Sequence, residues 1–464
     1  MKKIIMLITI IMLLMITGCP EPPSGTEGMS LGEVSDIIIK AGDGTLELSW
    51  KNPADSDFST VKILYKIEGG AESEYSGNID NSGTAISGLL NSSIYLITIK
   101  TIDTNSNVSE GLTVKAVPSV GVREFFPGYG LTFALMNDGT LLGLGTNQYG
   151  QMGDGTVTTV ETVKEIANNV KSVSTREFVT MVLKEDGTLW SAGQNGHGQL
   201  GDGTKTNIST LKKVAEDVNF VTTSGTHTMI IKTDNSLWGV GENDQGGLGD
   251  GTHDVYADKT NFVKIMEDVK SVATGLQTSF ILKSDGTLWV TGSNSSGMLG
   301  DPSISPYIWN PQQLMSNVIQ VSTGLFHSMI LKNDGTLWSA GQNAYGAMGS
   351  PDTDSTNKIT THIQIMSDIA SVSCSDRDNT FMIKTDGSLW GTGSNSEGQL
   401  GLDDSVYSPE KIMDDVLSVK ACNGKTLIQK KNGTTWGMGL QAYGLLGVTD
   451  SNQYEIRTPI QVFW

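Results

Sequence analysis

The sequence predicts an all-β protein with two parts, an N-terminal domain of short strands and a longer region built from one repeated β-rich unit. Three observations lead to this prediction. Glycine supplies 55 of 464 residues, and charged residues make up 17%, below the usual fraction of about 25%. Apolar and polar residues alternate in short runs between residues 34 and 117, and one hairpin pattern recurs from residue 122 onward. This combination is typical of many turns rather than long helices.

The charge balance argues against nucleic-acid binding. The chain has 50 acidic and 31 basic residues, which gives a net charge of -19. A protein that binds DNA or RNA needs clusters of Lys and Arg to neutralise phosphates. We therefore expect no nucleic-acid partner.

The N-terminus predicts export and lipid attachment. Lys2 and Lys3 precede an apolar run, Ile4–Ile16, which is shorter than the roughly 20 residues that span a bilayer but suits a secretory signal. The ending ITGC resembles the bacterial lipobox, which implies cleavage before Cys19 and lipidation of that residue. Residues 1–18 are then a signal peptide, and residues 19–33, rich in Pro, Gly, Ser and Glu, form a tether. We expect a membrane-anchored lipoprotein in the cell envelope, outside the cytoplasm; the alternative is an ordinary signal peptide with an incidental cysteine.

Residues 34–117 predict a β-sandwich. The runs LELSW (46–50), VKILY (61–65) and YLITIKTI (95–102) alternate apolar and polar residues and are separated by turn-rich segments. The order of these features resembles a fibronectin type III domain, which implies core positions for Trp50 and Tyr95. We expect this module to act as a spacer.

The repeated region carries the same hairpin in every unit. Asp-Gly or Asn-Gly supplies the positive φ angles of a tight turn, and the strand after the turn has a large apolar residue at one equivalent position. We expect these residues to pack between neighbouring units. The hairpins are NDGTLLGLG (137–145), EDGTLWSAG (185–193), TDNSLWGVG (233–241), SDGTLWVTG (284–292), NDGTLWSAG (333–341), TDGSLWGTG (385–393) and KNGTTWGMG (431–439), and their tryptophans are Trp190, Trp238, Trp289, Trp338, Trp390 and Trp436.

A second signature follows each hairpin, as in NGHGQLGDG (195–203) and NAYGAMGS (343–350). Here Asn can bond its own loop, Gly permits left-handed backbone, and Leu or Met enters the core. The Asp-Gly pairs lack the spaced ligands and terminal Glu of a calcium loop. We therefore predict turns and neither a metal nor a cofactor.

The two signatures in this order resemble the repeat of the regulator of chromosome condensation family, over residues 122–464. The resemblance implies that residues 118–464 form a seven-bladed β-propeller. A strand such as 160–166 is interpreted as the first strand of the following blade, so that the chain end, Thr458–Val462, is expected to complete the first blade. The family name also implies guanine-nucleotide exchange, although an exported protein would not meet a cytosolic GTPase.

One face of the propeller collects the loops that vary between blades, and we predict that it binds a protein or glycan. Aromatic side chains on a rigid scaffold are typical anchors of binding surfaces. We interpret His227 and His327, which precede the second hairpin strand, as buried structural residues. An insertion also presents Tyr307 and Trp309, which either form an exposed apolar tip or fold back onto the blade. The candidate residues of the face are Tyr149, His197, Gln245, Tyr345, Glu397, Tyr443, Phe178 and Phe326.

Catalytic motifs are missing from the sequence. It contains no nucleophile elbow, HExxH or P-loop, so we predict a binding protein rather than an enzyme. The alternative is a carbohydrate-active lyase or hydrolase whose ionisable residues, drawn from several blades, converge near the axis. Cys374 and Cys422 have no metal-binding spacing, and although a disulfide between them is possible, we favour structural roles for both.

Overall fold

The computed structural model describes residues 31–77, 79, 82–91, 93–116, 118, 121–252, 258–304, 306–351, 358–376, 378–441, 446 and 454–462. The predicted signal peptide, Cys19 and Tyr443 lie outside these residues. The chain divides into two compact units, one ending at Pro118 and the other beginning at Ser119. Within the described residues, no helix is long and apolar enough to cross a membrane.

The first unit is a sandwich of two antiparallel sheets, ordered β1-β2-β5 and β4-β3-β6-β7. Alternation places one face of each sheet in a shared core, in which Trp50 and Tyr95 are both buried. The strands are Ser35–Gly42 (β1), Thr45–Lys51 (β2), Phe58–Ile67 (β3), Ser73–Glu74 (β4), Gly83–Ser87 (β5), Tyr95–Asp103 (β6) and Leu112–Ala116 (β7).

The second unit consists of seven four-stranded antiparallel sheets, named here sheet 1 to sheet 7 in chain order. Each sheet uses four consecutive strands, from its first strand to its fourth. A short 3-10 helix, Ala344–Gly346, follows β26. The strands are Val122–Gly128, Leu131–Met136, Leu141–Gly145 and Val160–Ala167 (β8–β11, sheet 1); Val170–Arg176, Val179–Lys184, Leu189–Gly193 and Ile208–Ala215 (β12–β15, sheet 2); Val218–Thr223, His227–Lys232, Leu237–Gly241 and Lys259–Met266 (β16–β19, sheet 3); Val269–Thr274, Thr278–Lys283, Leu288–Ser293 and Tyr307–Met315 (β20–β23, sheet 4); Val318–Thr323, His327–Lys332, Leu337–Gln342 and Lys358–Met366 (β24–β27, sheet 5); Ile369–Cys374, Asn379–Lys384, Leu389–Gly393 and Val406–Met413 (β28–β31, sheet 6); and Val416–Cys422, Lys425–Lys430, Thr435–Leu440 and Glu455–Gln461 (β32–β35, sheet 7).

The strand order corrects the predicted phase of the repeat. The segment Val160–Ala167 pairs with β10 and is the fourth strand of sheet 1, not the first strand of the next sheet. The C-terminal strand β35 likewise pairs with β34 in sheet 7. The prediction that the chain end completes the first sheet was therefore wrong, because that sheet already has four strands of its own.

Sheets 7 and 1 meet through side chains instead of an exchanged strand. Gln429 donates from Nε2 to the carbonyl of Val122 at 3.0 Å, and the Nζ of Lys420 lies 2.8 Å from a carboxylate oxygen of Glu124. The buried Lys425 donates to the carbonyl of Gly128 at 2.5 Å. These contacts join residues about three hundred positions apart and close the ring of sheets.

Each repeat tryptophan packs, half-buried, into the core between its own sheet and the preceding one. Trp190 shows the arrangement. Its indole Nε1 donates to the hydroxyl of Thr188 at 2.9 Å, and this hydroxyl donates to the turn residue Asp186 at 2.7 Å. The Nζ of Lys184 lies over the ring, 4.8 Å from its centroid. The tryptophan therefore ties the hairpin turn to the core between sheets.

Candidate functional site

Two ends of the ring differ in what they carry. Successive strands alternate in direction, so the connections between first and second strands and between third and fourth strands emerge at one end, which we call the loop face. The Asp-Gly turns emerge at the other end, which we call the turn face. The first strands line the axis, and the central cavity is bordered by residues of these strands.

The loop after each third strand is held by its Asn. In sheet 2, Asn195 accepts the backbone N–H of Leu200 on Oδ1 and donates from Nδ2 to Asp202, at 3.0 Å each. Asp202 also accepts from Thr204 and pairs with Lys212 at 2.8 Å. Burial alone would raise the pKa of Asp202, but the hydrogen bonds from Lys212, Thr204 and Asn195 outweigh burial and lower it. The carboxylate is therefore already bound by donors of the protein itself.

A glycine at the end of each third strand lets the two loops of one sheet approach each other. At Gly193, with φ of 112°, a Cβ atom would lie 2.1 Å from the carbonyl oxygen of Phe178. The next residue, Gln194, donates its backbone N–H to that carbonyl at 2.9 Å. No larger residue fits there, so the position of Phe178 on the loop face depends on this glycine.

Three aromatic rings from sheets 1 and 2 form a cluster on the loop face, the Tyr129–Phe178–Tyr149 cluster. The ring centroids of Tyr149 and Phe178 lie 4.5 Å apart, and those of Tyr129 and Phe178 lie 5.3 Å apart in an edge-to-face arrangement. Tyr129 is 40% exposed, while the other two rings are half-buried. Sequence reasoning selected Phe178 and Tyr149 but missed Tyr129, whose only signal was its place beside the turn glycine Gly130.

The other predicted residues of the loop face do not join this cluster. Phe326 and Tyr345 are 39% and 56% exposed, and among the described residues neither has a ring contact with the cluster. Gln245 is half-buried. The Nδ1 of His197 lies 3.4 Å from a carboxylate oxygen of Asp258.

Glu397 lies over the neighbouring sheet. Its Oε2 is 2.5 Å from the place that a Cβ of Gly424 would occupy, so the half-buried carboxylate rests on that loop backbone. Tyr443 lies outside the described residues.

Tyr307 and Trp309 do not form the tip of a loop. Both lie in β23, with ring centroids 6.1 Å apart, and the residue between them, Ile308, is buried. Tyr307 is 43% exposed, whereas the indole of Trp309 packs close to Gly246 of sheet 3. The insertion therefore folds back onto the sheets, which was the second of the two arrangements that the sequence left open.

His227 and His327 are buried at equivalent places, each the first residue of a second strand. The ring of His227 contacts the hydroxyls of Ser224 at 2.8 Å and Ser279 at 3.1 Å, and His327 contacts Thr380 at 3.0 Å. Burial, aided by the positive charge of Arg176, lowers the pKa of His227 to about 3 and that of His327 to about 4. Both are neutral links between adjacent sheets.

An arginine that sequence reasoning did not single out crosses the axis. Arg176 ends the first strand of sheet 2 and is 8% exposed. Its Nε lies 2.6 Å from Oδ1 of Asp376 in sheet 6, and its Nη1 donates to the carbonyl of Thr274 in sheet 4 at 2.7 Å. The guanidinium therefore joins three sheets at the end of the axis near the loop face.

Other ionisable groups surround this ion pair. Glu177 has its pKa raised, chiefly by burial and further by the charges of Asp376 and Glu242, although Arg176 opposes the shift. The thiol of Cys422 donates to Oδ2 of Asp376 at 3.0 Å, and burial raises its pKa well above the usual value. Cys374 and Cys422 are both free thiols. A thiol with a raised pKa is a poor nucleophile, so the convergence at the axis supplies an ion pair and no activated nucleophile.

Comparisons with known proteins agree with this architecture. The family model described as "Regulator of chromosome condensation (RCC1) repeat" matches residues 269–297, 318–347 and 369–399, and a second model of the same description matches residues 285–331. No curated protein sequence matches the chain.

The solved structures that resemble the chain include three that cover most of it. Prp20p of Saccharomyces cerevisiae is 18% identical over 69% of this chain and 83% of that chain, with a TM-score of 0.57. Yeast RCC1 (Prp20), solved with Kap60, is 17% identical over 74% and 85%, with a TM-score of 0.59. Human WBSCR16 is 16% identical over 79% and 97%, with a TM-score of 0.57. At such identities the likeness concerns the fold, and it supports the predicted repeat family and the β-propeller.

Proposed function

We propose that the chain is an extracytoplasmic bacterial lipoprotein whose seven-bladed propeller binds a partner protein through the Tyr129–Phe178–Tyr149 cluster on the loop face. The cluster is the observation that carries the proposal. Three rings that already contact one another lose little conformational freedom on binding, and aromatic residues supply much of the energy of protein interfaces. The fibronectin type III-like sandwich serves as a spacer after the tether.

Two neighbours of the same fold support protein binding as the activity. The yeast Prp20p structure was described together with binding to Gsp1p and histones, and the related yeast structure was solved bound to Kap60. Catalysis has less support, because the nucleophile nearest the axis is the buried thiol of Cys422. We therefore propose a binding module and not an enzyme.

Removal of the cluster rings tests the proposed face. The double variant Phe178→Ala and Tyr149→Ala should lower the affinity for the partner at least about tenfold, since aromatic anchors each contribute more than about 1 kcal/mol. The partner is first captured from the envelope of the producing bacterium by the full chain, identified and purified. Its affinity for each variant is then measured by calorimetry.

The matched control is Leu417→Ala, which removes an apolar side chain, 63% exposed, from the turn end of a first strand. This variant should bind as the parent protein does. Unchanged affinity in the double variant, or loss of affinity in the control alone, would contradict the proposed face.

Lipid attachment has its own test. Cys19→Ser should move the protein from the membrane fraction to the soluble fraction and abolish incorporation of labelled palmitate, because the acyl chains are the proposed anchor. Cys422→Ser, which leaves the lipobox intact, should remain in the membrane fraction. Membrane retention of the Cys19 variant would overturn the lipoprotein proposal without affecting the binding face.

A further inference from the structure

The central cavity is a candidate site separate from the loop face. It has a volume of about 570 Å³, which falls within the range of about 300–1,000 Å³ typical of small-molecule sites. It is bordered by first strands of sheets 2 to 7, and a second cavity of about 270 Å³ shares Arg176, Thr222 and Ser373 with it. The two cavities therefore form one continuous space along the axis.

The walls of this space are polar. Thr222, Thr274, Ser322 and Ser373 contribute hydroxyl groups from four different sheets. The Oγ1 atoms of Thr222 and Thr274 lie 3.2 Å apart, and among the described residues the Ser373 hydroxyl has no hydrogen-bond partner. Such a lining suits a ligand that both donates and accepts hydrogen bonds.

A buried donor without a partner points into this space from the end near the loop face. Arg176 borders both cavities and is 8% exposed, and its Nη2 has no hydrogen-bond partner among the described residues. The other guanidinium nitrogens face Asp376 and Thr274. A buried N–H without an acceptor costs about 1–3 kcal/mol, which a ligand oxygen at Nη2 would recover.

The charges around Arg176 select an uncharged ligand. Asp376 already neutralises the guanidinium at 2.6 Å, and Glu177 adds a second carboxyl group close by. An anionic group that approached Nη2 would meet the negative charge of both. A hydroxyl or carbonyl oxygen accepts the same hydrogen bond without that repulsion.

The end near the turn face carries an aromatic ring. Phe220 is the third residue of a first strand, borders the cavity and is 36% exposed. Sugar rings present C–H faces that pack on aromatic rings, and their hydroxyls match the polar wall beyond it.

We propose that the central cavity binds the neutral sugar units of a glycan, with Phe220 packing against a sugar ring and Arg176 Nη2 donating to a sugar oxygen. This site goes beyond the proposed protein-binding face and does not depend on it.

Calorimetry with defined oligosaccharides tests the site. The full chain is titrated with maltohexaose, cellohexaose, laminarihexaose and mannohexaose, and with hexagalacturonate as the anionic comparison. We expect binding of at least one neutral oligosaccharide and none of hexagalacturonate. Arg176→Met should weaken binding about tenfold or more, because it removes a charged donor. Arg123→Met, which changes an arginine paired with Glu185 outside the cavity, should leave the affinity unchanged.

A second pair of variants covers the case in which Arg176→Met does not fold. Ser373→Ala and Phe220→Ala should each weaken binding by about fivefold, while Phe178→Ala on the loop face should not. No binding of any neutral oligosaccharide, tighter binding of hexagalacturonate, or equal affinity in folded cavity variants would each overturn the proposal. Loss of oligosaccharide binding in the cavity variants with protein binding intact separates this site from the loop face.

Discussion

His227 and His327 show how a single residue type serves the structure rather than the partner. Each ring lies between two sheets with a hydroxyl partner, and burial keeps it uncharged. The sequence interpretation of both as structural residues agrees with their position. Their burial makes the stability of the ring dependent on pH.

Acidification should destabilise the protein through these histidines. As pH falls below the usual histidine pKa of 6.5, the unfolded chain binds protons that the folded chain refuses until about pH 4. Stability is therefore lost between pH 6.5 and about 4, by up to about 1.4 kcal/mol per pH unit for each ring. Urea unfolding at several pH values should show a shallower slope for the double variant His227→Gln and His327→Gln.

The exposed His197→Gln is the matched control for loss of an imidazole, since its side chain is 43% exposed. NMR of the unmodified protein gives an independent readout: the signals of His227 and His327 should remain those of neutral rings at pH 5. Protonated rings at that pH, or identical slopes in parent and double variant, would be inconsistent with the assigned burial effect.

Arg176 is the residue that sequence reasoning could least have selected. Its partner Asp376 lies 200 positions away, and its backbone acceptor Thr274 lies in a third sheet. No local pattern distinguishes this arginine from the others in the chain. Only the closed ring of sheets brings the three residues together at the axis.

The fourth strand is the element that the sequence interpretation misplaced. In β11 most side chains are exposed, which is typical of the outer strand of a sheet, and it is separated from the next first strand by only two residues. This short connection suggested that β11 and β12 belong together. The hydrogen-bond register instead pairs β11 with β10 across a long loop, because the turn after β11 leads into the next sheet.

The last strand should contribute stability as a packed edge of sheet 7. Ile456 is buried among Phe125, Met136 and Leu427, residues from both sides of the junction between sheets 7 and 1. Ile456→Ala should lower the free energy of unfolding by about 2–4 kcal/mol, because it leaves a cavity in this core. Urea denaturation measures the change.

Tyr454→Ala serves as the control, since Tyr454 is two residues away and 69% exposed. Its free energy of unfolding should stay within about 0.5 kcal/mol of the parent value. Equal stability of both variants would mean that β35 does not support the junction.

At the scale of the whole molecule, the ring closes between two complete sheets. Its closure rests on Gln429, on the Lys420–Glu124 ion pair and on Lys425, together with the apolar core around Ile456. Burial lowers the pKa of Lys425 to about 8, so the contact with Gly128 costs desolvation of a charged group. A shared core and side-chain contacts therefore replace an exchanged strand at this junction.

The sequence by itself determined the all-β class, the repeated hairpin, the packing position of its tryptophans and two of the three rings on the loop face. These features are local: alternation, turn residues and a fixed spacing specify them within about fifty residues. The phase of the strands, the closure of the ring, Tyr129 and the Arg176 site were decided only by the tertiary structure. Their partners come from different sheets, and the pairing of distant strands depends on the packing of the whole ring rather than on any local pattern.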